Sequence, residues 1–355
     1  MSLEEIARRA GVSAGTVSRV LNGKNKENRP STVKRSQRIR SIAAELGYRP
    51  NAAARTMSTG RSGNVALITC GTIGFDWLPS PLLHGIHRGL AANGMRMVLS
   101  DVPAQRFDEA GFVPHLLREA AVDGLLIHAD GQLPQTAMPF FEGQRPPCVW
   151  INRDVPYRAV IPDELNGAER AVDFLAGRGH ERIGYFRLSD PLQIARHYSI
   201  PERRDGFAQA MKKRGLKATV ALEETGGGGH GYNRTPARIA RAVEYLKANK
   251  GITAAVAYEL EEASALCSAA GRLGMKLPED LEIVAFHPAE IASEAALPVA
   301  TAVVPFREVG QACVEMLIEA LPLNARRYHQ GEPPPPQTQR VPFRRVEGED
   351  ALGRR

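Results

Sequence analysis

The sequence predicts an α/β protein preceded by a small, basic, all-helical module, and three observations carry that prediction. The first sixty residues show helical apolar spacing with helix start and stop signals. The excess positive charge is confined to that segment. From Val65 onward, short β-rich runs alternate with amphipathic helical stretches.

A helix is expected over Leu3–Ala10, opened by Ser2 and Glu5 at capping-box spacing and carrying Ile6 and Ala10 on one face. Gly11 supplies the permissive backbone that ends it, and Ser13 caps a second helix over Ala14–Leu21. That helix buries Val17, Val20 and Leu21 and turns Thr16, Ser18, Arg19 and Asn22 outward, the pattern of a helix that lies in a DNA major groove. A third helix over residues 32–46 carries Lys34, Arg35, Arg38 and Arg40, closes at Gly47 and is followed by Pro50. Asn51 then caps an alanine-rich stretch, residues 51–57, too short to stay helical without a partner. Residues 1–61 hold 13 Lys/Arg against 4 Asp/Glu, a net +9 in a chain whose total is +7, so the rest is slightly acidic. A basic end on a near-neutral body implies a polyanionic partner at that end.

In the remainder, strands are expected at residues 65–70, 95–100, 122–127 and 148–152, with a helix over 82–93. A second set follows: helices over 164–177, 202–214, 236–248 and 262–273, and strands at 182–186, 253–257 and 281–285. The proline run 333–336 leads as a stiff connector into a last strand at 339–343. Such alternation builds parallel sheets covered on both faces, and its length exceeds one comfortable core, so two lobes are expected. Ligands bind such sheets at the carboxyl ends of their strands, here in a cleft between lobes. The boundaries drawn are 1–49 for the helical module, 50–62 for a hinge helix and linker, and 63–355 for the two-lobed core.

Several classes are excluded. No apolar stretch reaches membrane-spanning length, and the N-terminus is a capped helix, not a signal peptide. Cys70, Cys148, Cys267 and Cys313 lack CxxC spacing and are expected as buried free thiols in a reducing cytoplasm. Neither GxGxxG after the first strand nor GxxxxGK[ST] occurs, and the glycine run 226–231 opens no helix. His84 and His87 have helical spacing but no Cys or carboxylate placed beside them. No Ser/His/Asp set is visible, so neither enzymatic activity, a cofactor nor a metal is expected.

The string Ile6-Ala-Arg-Arg-Ala-Gly-Val-Ser-Ala-Gly-Thr-Val-Ser-Arg-Val-Leu-Asn-Gly23, with Glu45-Leu-Gly-Tyr-Arg-Pro-Asn51 after it, resembles the lactose-repressor/galactose-repressor (LacI/GalR) family of bacterial transcription regulators. The resemblance implies a three-helix helix-turn-helix headpiece, a hinge helix and a two-lobed core like that of periplasmic sugar-binding proteins. It implies a regulator, a repressor in expectation, that binds a palindromic double-stranded operator as a homodimer under a sugar-like effector, located in the cytoplasm with the nucleoid. By resemblance, Arg19 reads a base edge; Thr16, Ser18 and Asn22 hold the sugar-phosphate backbone; and Ala14 and Gly15 stand where operators are chosen. Lys34 contacts phosphate, Asn51 opens the hinge, and Met57 replaces the leucine that wedges into the minor groove. The loop at residues 24–30 is longer than the family pattern.

On the effector side, Arg203 matches the arginine that grips sugar hydroxyls, and Asn152 stands at a position usually held by aspartate. Leu260 replaces a common acidic ligand residue, leaving Glu259 and Glu261 beside it, and His287-Pro288 replaces an acidic pair. Phe75 and Trp77 follow the first strand, placed to stack on a ring face. An ordinary hexose is therefore doubtful as effector. The alternative is a DNA binder whose core has lost its ligand and acts through a protein partner or as an architectural factor.

Overall fold

The computed structural model describes residues 2–21, 29–48, 56, 60–71, 78–119, 121–129, 133–144, 146–189, 197–217, 219–224, 235–289, 297–321 and 336–348. Its contacts divide the chain into two compact units, Met1–Ser62 and Gly63–Arg355.

The first unit holds α1 (Leu3–Ala10), α2 (Ala14–Leu21) and α3 (Pro30–Glu45). Ile6, Ala7, Val17, Val20, Ile39 and Ala43 form its buried centre, closed over by Leu3, Leu21, Leu46 and Tyr48. Gly11 adopts φ 67°, and the Val12 amide returns to the Ala7 carbonyl at 3.1 Å, which fixes the tight turn between α1 and α2. The expected capping box is not formed. Ser2 stands at the N-cap without a side-chain cap bond, and the Glu5 carboxylate instead joins Arg8 and Arg9 at 2.6 and 3.1 Å. One turn forward, two guanidiniums outcompete a backbone amide one turn back. The third helix opens at Pro30 rather than Thr32, because a proline at the first helical position sacrifices only an amide that is orphaned anyway.

The second unit contains two six-stranded sheets. The N-terminal lobe has β1 (Asn64–Gly71), β2 (Arg96–Pro103), β3 (Gly124–Ala129), β4 (Cys148–Ile151), β5 (Ala159–Pro162) and β11 (Gln339–Val341), in the order β11-β5-β4-β3-β1-β2. The C-terminal lobe has β6 (Ile183–Ser189), β7 (Thr219–Glu224), β8 (Ala254–Ala257), β9 (Glu282–His287), β10 (Ala300–Val303) and β12 (Val346–Glu347), in the order β12-β10-β9-β8-β6-β7. Central strands β3, β4, β5 and β8 are buried along their whole length, as strands with helices on both faces must be. The pairing is parallel except at one edge, where β12 runs antiparallel to β10; the all-parallel expectation fails there. Covering helices are α4 (Ser80–Ala92), α5 (His115–Glu119), α6 (Ala137–Glu142), α7 (Glu164–Gly177), α8 (Ser199–Lys213), α9 (Thr235–Ala248), α10 (Leu260–Arg272) and α11 (Phe306–Ala320).

The sequence pattern assigns no element to α5, α6, β5, β7, β10, α11 or β12. The strands among them are two to six residues long, too few to establish a period of two. The α11 pattern, with Val309, Cys313, Met316 and Leu317 buried, is visible in the sequence once its partner helix is known. Cys70, Cys148 and Cys313 are buried free thiols, whereas Cys267, on α10, is only partly buried against the core.

The chain passes between lobes three times: after Pro162, at Val304-Pro305, and through residues 342–345. The first and third passages are tied together. The Asp163 amide donates to the Val341 carbonyl at 2.8 Å, and the Phe343 amide to Asn166 Oδ1 at 3.0 Å. The Phe343 ring lies against Gly167, where a Cβ would stand 2.7 Å from it.

In the N-terminal lobe, α4 and α11 approach to backbone distance. A Cβ on Gly85 would lie 2.1 Å from the Arg307 carbonyl oxygen, and one on Gly310 2.6 Å from that of Leu82. Gly85→Ala is therefore expected to cost at least about 1–3 kcal/mol, since helix backbones must part to admit one methyl. Gly177→Ala, where a Cβ meets nothing within 4 Å, should be neutral or stabilising. Urea unfolding of the two variants checks this; equal midpoints would refute the close-packing account.

Candidate functional site

In the N-terminal unit, α2 stands on the buried core with its opposite side open. Ser13 starts it: its Oγ accepts from the Thr16 amide at 3.3 Å and lies 3.0 Å from Thr16 Oγ1. Gly15 is exposed, and a Cβ there would meet only Ser13 Oγ, at 4.0 Å. Arg19 is exposed and reaches back to Thr16 Oγ1 at 3.5 Å, a weak contact that leaves its guanidinium available to an outside acceptor. Ser18 is half-buried beside it. Ala14 is partly buried and packs against the three-helix core, so its methyl belongs mainly to the headpiece interior. Lys34, Arg35, Arg38 and Arg40 are exposed on α3. Asn22, Asn51 and Met57 lie outside the described residues.

In the second unit, the carboxyl ends of β4, β6 and β8 face the start of α8, and a bonded chain joins the lobes there. Asn152 follows β4 with φ 54°, a left-handed backbone that asparagine tolerates better than most residues. It is buried, and its Oδ1 accepts from Tyr198 Oη at 2.7 Å, while its carbonyl faces His197 Nε2 at 3.2 Å. The Ser199 amide can only donate, and it points at His197 Nδ1 from 3.3 Å; Nδ1 is thus the acceptor and Nε2 carries the proton. Ser199 Oγ bridges His197 Nδ1 at 2.7 Å and Tyr258 Oη at 2.8 Å. A neutral imidazole fits every contact. Burial pushes His197 down to about 4, with the Asn152 carbonyl opposing, and burial likewise holds His128, at the end of β3, at about 4.

Arg203, on α8, is 5 % exposed and committed to its own lobe. Its Nε and one terminal nitrogen donate to the two Glu164 oxygens at 2.6 and 3.0 Å, and the other terminal nitrogen donates to the Tyr258 carbonyl at 2.8 Å. Its guanidinium carbon lies 4.2 Å from the Phe286 ring centre and 4.7 Å from that of Tyr258. The arginine expected to grip ligand hydroxyls is thus also one half of a buried ion pair. The other half, Glu164, opens α7 directly after a lobe crossing and escapes sequence reading, because an acid at a helix start is ordinary. Glu259 stands at the N-cap position of α10, beyond β8, without a side-chain cap bond; burial pushes its carboxyl up to about 8, against the nearby Arg203 charge, with Glu262 and Glu261 adding to the rise. Glu262, buried behind it and accepting from the Leu188 amide at 3.4 Å, is raised by burial to about 7. Phe75 and Trp77 lie outside the described residues.

The structure therefore brings Asn152, Arg203 and Glu259 into one region and adds Glu164, His197, Tyr198, Ser199 and Tyr258. His and Tyr in a loop before a helix carry no periodic signal, so only the fold reveals them. Among the described residues no cluster of His, Cys, Asp and Glu suits a metal, and no helix is long and apolar enough to cross a membrane.

A family model described as bacterial regulatory proteins, lacI family, matches residues 2–51, and a periplasmic binding protein-like domain model matches residues 172–349. The chain is 26% identical over 325 residues to the HTH-type transcriptional regulator GalS of Salmonella typhimurium, covering 90% of this chain and 89% of that one. It is 28% identical over 335 residues to the regulator CelR of Thermobifida fusca, covering 90% and 92%. With the ribose operon repressor of Escherichia coli K12 it shares 27% over 335 residues, covering 90% and 93%. Among solved structures, the lac repressor dimer bound to operator and the anti-inducer ONPF superposes with a TM-score of 0.66 at 20% identity, over 98% of each chain. A CelR–cellobiose complex gives 0.60 at 21%, over 98% of this chain and 99% of that one. These two structures speak to the fold.

Proposed function

This chain belongs to the lacI family of bacterial regulatory proteins, and on that premise we propose that it represses transcription from a near-palindromic operator as a homodimer, under a small effector held between the core lobes. The observation that carries the DNA half is α2: apolar residues inside, a side-chain-free Gly15 and an exposed Arg19 outside. Arg19 reads guanine bidentately, while Thr16, Ser18, Asn22 and Lys34 hold phosphate and sugar. Ala14 and Gly15 permit close approach of the helix start, and Asn51 and Met57 belong to a hinge that forms only against its twin and the minor groove.

The ligand half rests on the Asn152–Tyr198 and Asn152–His197 contacts, which join the lobes where parallel sheets take ligands. An effector bound among Asn152, Arg203 and Glu259, with Phe75 and Trp77 as further candidates for ring contact, would change how the lobes meet and so the spacing of the two hinges. Among the relatives, the ribose operon repressor carries a sugar in its name, which supports a sugar or sugar derivative. No catalysis is proposed, and the working location is the cytoplasm at the nucleoid.

The test compares Arg19→Ala with Lys34→Ala on an operator selected from random DNA. Losing the base contact should cost about 1–3 kcal/mol and relax preference at one position in each half-site. Losing the phosphate contact should weaken all sequences alike and flatten the salt dependence by about one unit of slope. Equal weakening of operator and random DNA by Arg19→Ala would remove Arg19 as a reader.

A further inference from the structure

We propose that Arg187 is the seat for an acidic group on the effector, a carboxylate or a phosphate monoester, held on the C-terminal lobe beside Tyr258. The proposal rests on the effector-cleft reading above and narrows its ligand class.

Arg187 lies near the carboxyl end of β6. Side chains alternate along that strand: Tyr185 belongs to the apolar layer beneath α7 and α8, Phe186 and Leu188 to the layer beneath α9 and α10. Arg187 therefore shares the face of Tyr185, and its guanidinium carbon lies 5.2 Å from the centre of the Tyr258 ring, which Arg203 also approaches. The residue is 8 % exposed, and its Nε is fully buried without a hydrogen-bond partner. Among the described residues the Arg187 side chain makes neither a hydrogen bond nor an ion pair. Two residues back on the same face, Tyr185 Oη is a second buried polar atom without a partner.

No carboxylate nearby is free to answer this charge. Both Glu164 oxygens are taken by Arg203. Glu262 accepts from the Leu188 amide, and burial favours its protonated form. At Glu259 the opposing cation is Arg203, and burial favours the protonated form.

A buried guanidinium without a counter-charge is costly, and a sugar hydroxyl supplies a bond but no charge. A carboxylate or phosphate supplies both, and guanidinium geometry suits either bidentately. The same inference accounts for an otherwise odd departure: Leu260 and His287-Pro288 stand where acidic residues are usual, which lessens the repulsion an acidic ligand meets.

The experiment is calorimetric titration of the full-length protein with D-galactose and D-glucose, with D-galacturonate and D-gluconate, and with D-glucose 6-phosphate and inorganic phosphate. An acid-bearing probe is expected to bind the wild type, and Arg187→Met to weaken it at least tenfold, with Arg187→Lys intermediate. The carboxylate and phosphate arms separate the two chemistries. Because the substitution removes an unpaired buried charge, Arg187→Met should also raise the ligand-free Tm by about 2–4 °C. Binding of a neutral sugar alone, equally by wild type and Arg187→Met, overturns the proposal and leaves the effector cleft standing. Silence from every probe, with operator binding intact, overturns both. A lowered Tm in Arg187→Met refutes the unpaired charge.

Discussion

Glu164→Ala is expected to destabilise the core by about 3–5 kcal/mol, because it leaves the Arg203 guanidinium buried with no carboxylate to meet it. The pair is bidentate, at 2.6 and 3.0 Å, and both side chains are almost wholly enclosed. Arg203→Ala should cost a comparable amount for the mirror reason. The joint change Glu164→Leu with Arg203→Met should recover most of the loss, since an apolar pair of similar volume replaces two desolvated charges. Urea unfolding of the three variants tests this; additive losses in the double variant would show that the two side chains act independently. Effector response in Arg203→Ala has to be read beside this stability cost, as the residue anchors α8 to α7 whatever else it touches.

Stability should hold nearly level from about pH 4.5 to 6.5 and then fall by about 2 kcal/mol by pH 8, as far as four desolvated groups decide it. Glu259 and Glu262 have folded values of about 8 and about 7, above the unfolded carboxylate value of about 4.3. Their folded forms hold the extra proton, so their contribution is complete below the unfolded value and is lost as pH rises through the folded ones. His128 and His197 have folded values of about 4, below the unfolded value of about 6.5. There the unfolded chain holds the extra proton, and stability is lost as pH falls from 6.5 toward 4. Two protons oppose two across the shared window. Above it only the glutamates remain, each worth about 1.4 kcal/mol per pH unit until it ionises. Glu259→Gln should flatten the decline between pH 7 and 8. An unchanged slope in that variant would show that Glu259 ionises normally in the folded protein.

Most of the fold was legible because periodicity repeats. The α7 helix, with six buried residues at helical spacing, and β3, an unbroken buried run, leave clear traces in composition. Order of contact leaves none. Nothing in the sequence around Asp163-Glu164 distinguishes a helix start that buries its acid from one that exposes it, and nothing around His197 says that its ring will meet Asn152. Arg203 was found by resemblance, Glu164 and Arg187 only by geometry. Conversely, Ser2 and Glu5 show a local motif at the right spacing that loses to Arg8 and Arg9.

The three passages between lobes have a consequence for biosynthesis. The N-terminal lobe begins at Asn64 but receives α11 only at Phe306–Ala320 and its edge strand only at Gln339–Val341, after nearly the whole other lobe has been made. A nascent chain emerging from the ribosome therefore displays the apolar side of α4, with Gly85 and Gly89 waiting for a helix not yet synthesised. Domains ordinarily fold in the order of their synthesis, and exposed apolar surface invites aggregation meanwhile. Here each lobe receives an edge strand, β11 or β12, only from the end of the described chain, so neither sheet is complete until that segment has been made.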